Sequence, residues 1–375
     1  MTKRLAITMW EFSWLVRRAP PEDEYADWDR VLDDLCERGY DCIRIDAFPH
    51  LIAAGPHGER AERFTILPQN KRFPWGNHRP VEVSPGPGLV RFMRKARDRG
   101  IRLGLSTWFN DDHTHRRATA RTPADYARIW TETLELLESS NLLDAIAWVD
   151  LCNEFPLGLW AHGAYRGLFG THPRNVLRMM RPWSQRARAA VQRFYDEAIA
   201  PLKTRWPELK FTFSVQHIGG REVRRLDTSS WDLAEPHVWL SEGGAFQLLS
   251  GQLGALLCLP GAYPLHARLG PMLYRLRRES WLRALERRLD TWSDWARARH
   301  LPLYTSEGWG PINYDDVTSS GREWGWVKQV CGEAVRRAIV RGWTGICTSN
   351  FAQPQFAGMW RDAAWHRELT GLIRG

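Results

Sequence analysis

The chain has 375 residues, enough to bury a large core and long for one doubly wound domain. Charged residues make up 25% and hydrophobic residues 43%, which is typical of a soluble globular protein, and the net charge of +9 comes without a nucleic-acid-binding motif, so we expect no nucleic-acid partner. No run of about eighteen apolar residues occurs and no secretion signal is recognisable, which predicts no transmembrane segment and a cytoplasmic protein.

Strand-like runs alternate with amphipathic helices along the whole sequence, which favours a parallel α/β fold. Eight strands are predicted, at 5–10, 42–46, 102–107, 145–151, 210–215, 234–239, 303–306 and 345–348. Helices are predicted at 25–38, 88–99, 123–139, 183–205, 274–299, 323–341 and 362–373. No helix is predicted between Gln216 and Leu233. This order predicts a single (β/α)8 TIM barrel that spans residues 1–375, with no second domain.

Three long loops, at 50–87, 155–182 and 241–273, follow the C-terminal ends of predicted strands, where this fold builds its functional site. The third loop is unusually apolar. It could cap the site, form the interface of a homo-oligomer, or touch a membrane surface. Much of the positive charge is arginine in the segments 166–193 and 268–299. Solvated helix faces, an anionic substrate and an anionic surface are all consistent with that charge.

Two glutamates lie at the ends of predicted strands four and seven. Glu154 follows Asn153 after the strand at 145–151, and Glu307 directly follows the strand at 303–306. An unpaired buried charge is expensive, so carboxylates in these positions indicate water, a metal or chemistry nearby. A retaining glycosidase needs such a pair, one carboxyl group to protonate the leaving oxygen and one carboxylate to attack the anomeric carbon. Two structural carboxylates in salt bridges are the alternative.

The Asn153–Glu154 pair and Glu307 resemble the clan A glycoside hydrolases, most closely the cellulase-like, family 5-type barrels. The resemblance spans nearly the whole chain in element order, although recognisable motifs cover only the strand ends. It implies a retaining O-glycosyl hydrolase with Glu154 as acid/base and Glu307 as nucleophile. It implies a carbohydrate substrate and no metal or organic cofactor. The missing export signal favours short oligosaccharides or glycosides, and the long loops favour exo-action.

The same resemblance implies roles for two neighbours of the glutamates. Asn153 would hydrogen-bond the sugar 2-hydroxyl. Arg44, inside the second predicted strand, would orient Glu307 and lower its pKa. A buried arginine needs an anionic partner, so an ion pair with Asp46 on the same strand is the alternative.

His237 lies on predicted strand six, where the family often has a histidine followed two residues later by a tyrosine that touches the nucleophile. This chain has Trp239 in place of that tyrosine. The tyrosine's role could therefore pass to Tyr304 or Tyr314. His237 itself is expected to be a site residue.

Other polar and aromatic residues near strand ends are candidates for sugar contacts, because flat aromatic faces stack on sugar rings and polar groups bond hydroxyls. Core packing is the alternative for each tryptophan, and a loop role for Asp46 and His50. These candidates are Glu11, Asp46, His50, Trp108, Trp239, Trp309 and Trp360.

Three rival functions are compatible with parts of the sequence. The segment Asp111-Asp112-His113-Thr114-His115 contains potential metal ligands, which would suit a metal-dependent barrel enzyme acting through Asp112, His113 and His115. Its spacing is not that of a standard zinc motif, and a solvated loop is the alternative. A transglycosylase would share both glutamates. A sugar-binding barrel without catalysis is the third rival, against which the two glutamates at matching strand ends argue. The sequence does not identify the sugar.

Overall fold

The computed structural model describes residues 4–69, 76–170, 181–242, 244–257, 259–315 and 323–375, with the backbone alone at 217–219. Strands and helices alternate through these ranges. The strands are β1 (Leu5–Glu11), β2 (Cys42–Asp46), β3 (Phe64–Ile66), β4 (Val81–Val83), β5 (Arg102–Ser106), β6 (Ile146–Asp150), β7 (Phe211–Thr212), β8 (Val215–Gln216), β9 (Pro236–Trp239), β10 (Tyr304–Thr305), β11 (Gly308–Trp309) and β12 (Gly345–Cys347).

The helices within the described ranges are α1 (Ser13–Val16), α2 (Trp28–Glu37), α3 (Pro49–Ile52), α4 (Pro85–Arg97), α5 (Pro123–Ser139), α6 (His162–Phe169), α7 (Gln185–Arg205), α8 (His217–Val223), α9 (Ala245–Leu249), α10 (Gln252–Leu256), α11 (Ala262–Leu276), α12 (Arg278–Arg297), α13 (Trp324–Val340), α14 (Ala357–Trp360) and α15 (Ala363–Arg374). None of them is both long and apolar enough to cross a lipid bilayer.

Parallel strand pairing runs in a ring, which is the order of a (β/α)8 barrel. One sheet has the order β10-β12-β1-β2-β5-β6-β7, and a second has the order β11-β9-β8. A bridge between Ala234 and Leu303 joins the β9 and β10 segments. The eight strands predicted from the sequence are all present, because β7 with β8 form the fifth and β10 with β11 form the seventh.

The breaks in the fifth and seventh strands fall at polar residues of the candidate site. Between β7 and β8, the backbone N–H of Ser214 donates to Asp150 Oδ1 at 2.8 Å instead of continuing a ladder. Between β10 and β11, the Thr305 hydroxyl donates to the Glu307 carbonyl at 2.9 Å. Side chains therefore replace part of the sheet's hydrogen bonding where the site is built.

The helices confirm most of the sequence pattern, and α5 shows why. Thr122 accepts a hydrogen bond from the Asp125 backbone while Asp125 reaches back to the Thr122 backbone, a capping box that fixes the predicted start at Pro123. The prediction of no helix between Gln216 and Leu233 is wrong, because α8 occupies seven residues there. That helix is too short to produce a clear amphipathic period.

The predicted long loops contain regular structure. The 50–87 segment holds most of α3 and the antiparallel pair β3–β4, and 155–182 holds α6. The 241–273 segment forms α9, α10 and most of α11. The predicted helix at 274–299 begins later, because Arg277 leaves helical geometry with φ −134° and separates α11 from α12.

The close packing between β5 and β6 requires a glycine at position 104. Gly104 on β5 faces the indole of Trp148 on β6, and a Cβ on Gly104 would lie 2.3 Å from Trp148 Cζ2. Trp148 is fully buried, so the ring has no free space to move into.

We expect Gly104→Ala to lower the free energy of unfolding by about 1–3 kcal/mol, because the methyl group overpacks the barrel interior. Gly325→Ala on α13 is the matched control, since nothing lies within 4 Å of its added Cβ. That control should be neutral or stabilising by about 0.5–1 kcal/mol. Urea unfolding of both variants measures the difference, and equal stabilities would contradict this packing.

Candidate active site

A single buried arginine lies at the centre of the C-terminal ends of the strands. β2 places Arg44 in the interior, where Nη1 donates to Glu307 Oε1 at 2.8 Å. Its Nη2 donates to Asp150 Oδ2 at 2.5 Å and to Asn153 Oδ1 at 2.8 Å. Burial alone would lower the pKa of Arg44, but the surrounding carboxylates raise that pKa above its ordinary value, so the guanidinium stays charged.

Two of the carboxylates around Arg44 have no place in the sequence prediction. Asp150 accepts hydrogen bonds from the hydroxyls of Ser106 at 2.6 Å and Ser214 at 2.8 Å. Glu235 lies 3.4 Å from Arg44 Nε, and it accepts from Trp148 Nε1 at 2.7 Å. For Glu235 the available signal was its position two residues before His237, because residues two apart share one face of a strand.

Glu307 is the carboxylate that Arg44 fixes at the end of the seventh strand. Its side chain is only 10% exposed. Burial raises the pKa of Glu307, while His237 and Arg44 act in the opposite direction and Glu154 adds to the rise. The predicted contact between Arg44 and Glu307 is present. The alternative ion pair between Arg44 and Asp46 does not form, although both residues lie in the described part of β2.

Glu154 lies in a different environment from Glu307. Its backbone has φ 47°, an uncommon left-handed conformation, and its N–H donates to Ser214 Oγ at 2.9 Å. Among the described residues no hydrogen bond joins its carboxylate to Arg44, and burial raises the pKa of Glu154 to about 7. This carboxyl group can therefore hold a proton near neutral pH, which suits a general acid.

His237 lies between the two glutamates. Its Nδ1 is 3.1 Å from Glu154 Oε1 and 3.6 Å from Glu307 Oε2. Burial lowers the pKa of His237 to about 4, so the ring is neutral at neutral pH. We assign the proton to Nδ1, since the carboxylate oxygens it faces are acceptors. One side-chain oxygen from each glutamate and a His237 nitrogen all lie within 4.8 Å of one another.

This trio is also the group of described side chains whose atoms converge closely enough to hold a metal ion. The rival metal set does not converge. Asp112 accepts from the backbone N–H groups of Thr114 and Arg116, both at 2.8 Å, and His113 Nδ1 accepts from the backbone N–H of Thr65 at 3.2 Å. These bonds describe a folded loop after β5.

Asp46 fastens two strand ends together. Its Oδ1 accepts from the Phe48 backbone at 2.8 Å, and its Oδ2 accepts from the Trp108 backbone at 3.1 Å and from Asn110 Nδ2 at 2.9 Å. His50 packs beside it, with Nε2 3.0 Å from the Asn110 carbonyl. A sugar contact for Asp46 would have to displace these bonds, whereas His50 has a buried Nδ1 that finds no hydrogen-bond partner among the described residues.

The four predicted aromatic contacts are all buried. Trp108 lies under the guanidinium of Arg44, 4.5 Å from ring centre to Cζ. Trp309 donates to the Cys347 carbonyl at 2.9 Å, and Trp360 packs against Trp10 at 6.2 Å, so core packing accounts for both. Trp239 is 3% exposed.

The two tyrosines proposed as substitutes at Trp239 lie against other groups. Tyr304 packs edge-on to Trp148, with ring centres 5.4 Å apart, and Tyr314 accepts a hydrogen bond from Trp326 Nε1 at 3.1 Å. Neither has a described contact with Glu307. The neutral His237 ring does face Glu307, so it is the described residue that could contact the nucleophile in place of the family's tyrosine.

Glu11 is a third buried carboxyl group near the pair. It accepts from the Ser13 hydroxyl and from Gln355 Nε2 at 3.4 Å, while its Oε2 has no hydrogen-bond partner among the described residues. Burial raises the pKa of Glu11 to about 8, and the charge of Glu307 adds to the rise. A neutral carboxyl group with an unused oxygen fits the predicted hydroxyl contact.

The strand order and the strand-end carboxylates define a (β/α)8 barrel of the glycoside-hydrolase type. The chain belongs to the sugar-binding cellulase-like family, whose model matches residues 7–374. It is similar to a candidate glycoside hydrolase from Parabacteroides distasonis ATCC 8503, with 34% identity and a TM-score of 0.86 over 100% of this chain and 94% of that one. No curated protein sequence matches the chain.

More distant structures share the fold at low identity. The cellulose synthase subunit Z of Clostridioides difficile has 12% identity and a TM-score of 0.56 over 99% of this chain and 100% of that one. The endo-β-1,4-mannanase of Thermotoga petrophila has 11% identity and a TM-score of 0.52 over 100% of this chain and 77% of that one.

The Glu235 carboxyl gives a pH-dependent stability prediction. Burial raises its pKa, Arg44 opposes the rise and Asp150 adds to it. A carboxyl group with a raised pKa in the folded state stabilises the fold below its ordinary value of 4.5, and this contribution is lost as pH rises through the folded pKa. Glu235→Gln is neutral throughout. As the pH is raised from 4.5 to 8, the wild type should therefore lose stability relative to Glu235→Gln. The difference in unfolding free energy should amount to ~1.4 kcal/mol for each unit by which the pKa of Glu235 is raised in the folded state.

Denaturant unfolding at a series of pH values measures this difference. Glu208→Gln is the control, because Glu208 is exposed, and its difference from the wild type should stay flat. A flat difference for Glu235→Gln as well would show that this carboxyl group is not held in the environment described.

Proposed function

We propose that the protein is a retaining glycoside hydrolase that cleaves O-glycosidic bonds of oligosaccharides or glycosides. The observation that supports it most is the pairing of Glu154 and Glu307 at the ends of strands four and seven, with side-chain oxygens within 4.8 Å. Carboxyl groups about 5–5.5 Å apart suit attack by one of them on the anomeric carbon, whereas inverting enzymes leave room for a water molecule.

The two environments give the two roles. Glu307 is the nucleophile, because the Arg44 guanidinium at 2.8 Å favours its ionised form. Glu154 is the acid/base, because burial raises its pKa to about 7. The neutral His237 can donate a hydrogen bond to a carboxylate. It adds no positive charge, which would favour the ionised forms of both Glu154 and Glu307.

In the first step, Glu307 attacks the anomeric carbon while Glu154 gives its proton to the departing glycosidic oxygen. The anomeric carbon–oxygen bond breaks as the ester bond to Glu307 forms. In the second step, Glu154 takes a proton from water, which attacks the anomeric carbon and releases Glu307. In this mechanism Asn153 holds the sugar 2-hydroxyl, and the bond that it accepts from Arg44 supports this role by orienting its side chain.

The inserts after the strands support exo-action on short substrates. The β3–β4 pair, α6 and α9–α11 all follow the C-terminal ends of barrel strands, the face where the glutamates lie. Such inserts narrow the approach to a chain end rather than leave an open groove. The mannanase name among the similar structures makes β-linked glycosides the first substrates to try.

Replacement of the nucleophile tests the proposal. Glu307→Ala should lose at least about 10⁴-fold in kcat on a panel of aryl glycosides, because no covalent intermediate can form. Azide should restore activity to this variant and give a glycosyl azide of inverted anomeric configuration. Glu154→Ala is the matched control, for which azide should give a product of retained configuration. Loss of azide rescue in both, or activity that survives Glu307→Ala, would contradict the assignment.

The pH dependence of kcat/KM tests the acid. Glu154 must be protonated in the first step, so activity should fall as pH rises through about 7. Protonation of Glu307 should lower activity at acid pH. Glu154→Gln should lose about 10²–10⁴-fold on substrates with poor leaving groups and should lose the basic limb on activated aryl glycosides. If the fall in kcat/KM at basic pH persists in Glu154→Gln, that fall would have to be assigned to a group other than Glu154.

A further inference from the structure

The helices α9, α10 and α11 carry an exposed apolar face. We define the α9–α11 surface as residues 245–257 and 259–278. Of eleven large hydrophobic side chains exposed in the described part of the chain, eight lie here, so the apolar exposure is concentrated rather than scattered. They are Leu248, Leu249, Leu253, Leu257, Leu259, Leu265, Met272 and Leu276.

The opposite side of these helices is anchored to the barrel. Phe246 packs edge-on to Trp281 with ring centres 5.3 Å apart, and Tyr274 lies 5.9 Å from Trp326. The leucines are therefore exposed on helices that are packed against the barrel, because the same helices bury Phe246 and Tyr274. Each helix has an anchored side and an outward apolar side, which is the pattern of interfacial helices.

The charge on this surface has one sign. The sequence has no aspartate or glutamate from residue 245 to 278, but it has Arg268, Arg275, Arg277 and Arg278. All four arginines are exposed. Arg278 pairs with Glu279 and Glu333, whereas the other three form no ion pair within the described residues. Exposed leucines and uncompensated arginines thus occupy the same stretch.

This charge pattern decides between two occupants of the apolar face. In a symmetric dimer the same surface meets itself, so Arg268, Arg275 and Arg277 would meet a partner surface in which residues 245–278 offer arginines and no carboxylate. An anionic lipid surface offers phosphate groups to the arginines and a hydrocarbon boundary to the leucines. The observations therefore favour lipid.

We propose that the α9–α11 surface docks the protein peripherally on an anionic membrane surface. The surface borders the face of the barrel that holds the glutamates. Tyr263 and His266 lie 6.5 and 6.0 Å, between ring centres, from Tyr314 in the segment after β11. Docking would hold that face beside the lipid headgroups. The proposal does not depend on the chemistry of the glutamates.

Co-sedimentation with vesicles tests it directly. The full chain should bind vesicles that contain phosphatidylcholine and phosphatidylglycerol. Its affinity for vesicles of phosphatidylcholine alone should be lower by a factor of at least about ten. High salt should release it, because exposed charges are screened. The triple variant Arg268→Glu, Arg275→Glu, Arg277→Glu should lose the preference for anionic vesicles while its thermal unfolding stays close to that of the wild type.

A matched charge control separates this surface from the net charge of +9. Arg186, Arg193 and Arg221 are also exposed and form no ion pair within the described residues, but they lie on α7 and α8. Changing these three to glutamate alters the net charge equally and should leave vesicle binding nearly unchanged. Equal losses in both triple variants would overturn the proposal, since general electrostatics would then explain the binding.

A second pair of variants tests the apolar contribution. Leu248→Ser with Leu249→Ser should weaken binding to anionic vesicles several-fold. Val340→Ser with Leu372→Ser removes two exposed apolar side chains outside the surface and should not. Absence of wild-type binding to anionic vesicles would overturn the proposal. A concentration-dependent dimer that Leu248→Ser with Leu249→Ser abolishes, without vesicle binding, would instead assign the face to a second copy of the chain.

Discussion

The buried charge of Arg44 is the constraint on which the candidate site depends. A guanidinium with no exposed surface must be neutralised by groups that the fold brings to it. The fold supplies Asp150 from the end of β6, Glu235 from the residue before β9 and Glu307 from between β10 and β11. One ion-pair network therefore joins strands that are distant in sequence, and it fixes the position of the proposed nucleophile.

The same network holds more carboxyl groups than one arginine can neutralise. Glu235 is fully buried and Glu154 is partly buried near Arg44, and their raised pKa values follow from desolvation that Arg44 opposes only in part. A buried site with excess acid keeps a proton at the carboxyl group whose charge is least well compensated. We assign that proton to Glu154, and the protonation difference between the two glutamates follows from their positions around Arg44.

The sequence predicted the barrel because each strand is a short apolar run between helices with clear stop signals, and it predicted Glu154 and Glu307 because both end strands. It could not predict Asp150 and Glu235 as partners of Arg44, since their function depends on three-dimensional convergence. The helical content of the 241–273 segment was also missed, because α9 and α10 have five residues each and such short elements leave little periodicity. Trp309 and Trp360 were ambiguous because a tryptophan has the same sequence signal in a core and in a sugar subsite.

The central claim is that Glu307 forms a covalent bond to the sugar. The most direct measurement is mass spectrometry of peptides after incubation with an activated 2-deoxy-2-fluoro version of the glycoside that the protein hydrolyses, because the fluorine slows release of the intermediate. The account predicts one added sugar residue, located on Glu307 and absent in Glu307→Ala. A label on another residue, or turnover with inversion and no labelled peptide, would contradict it.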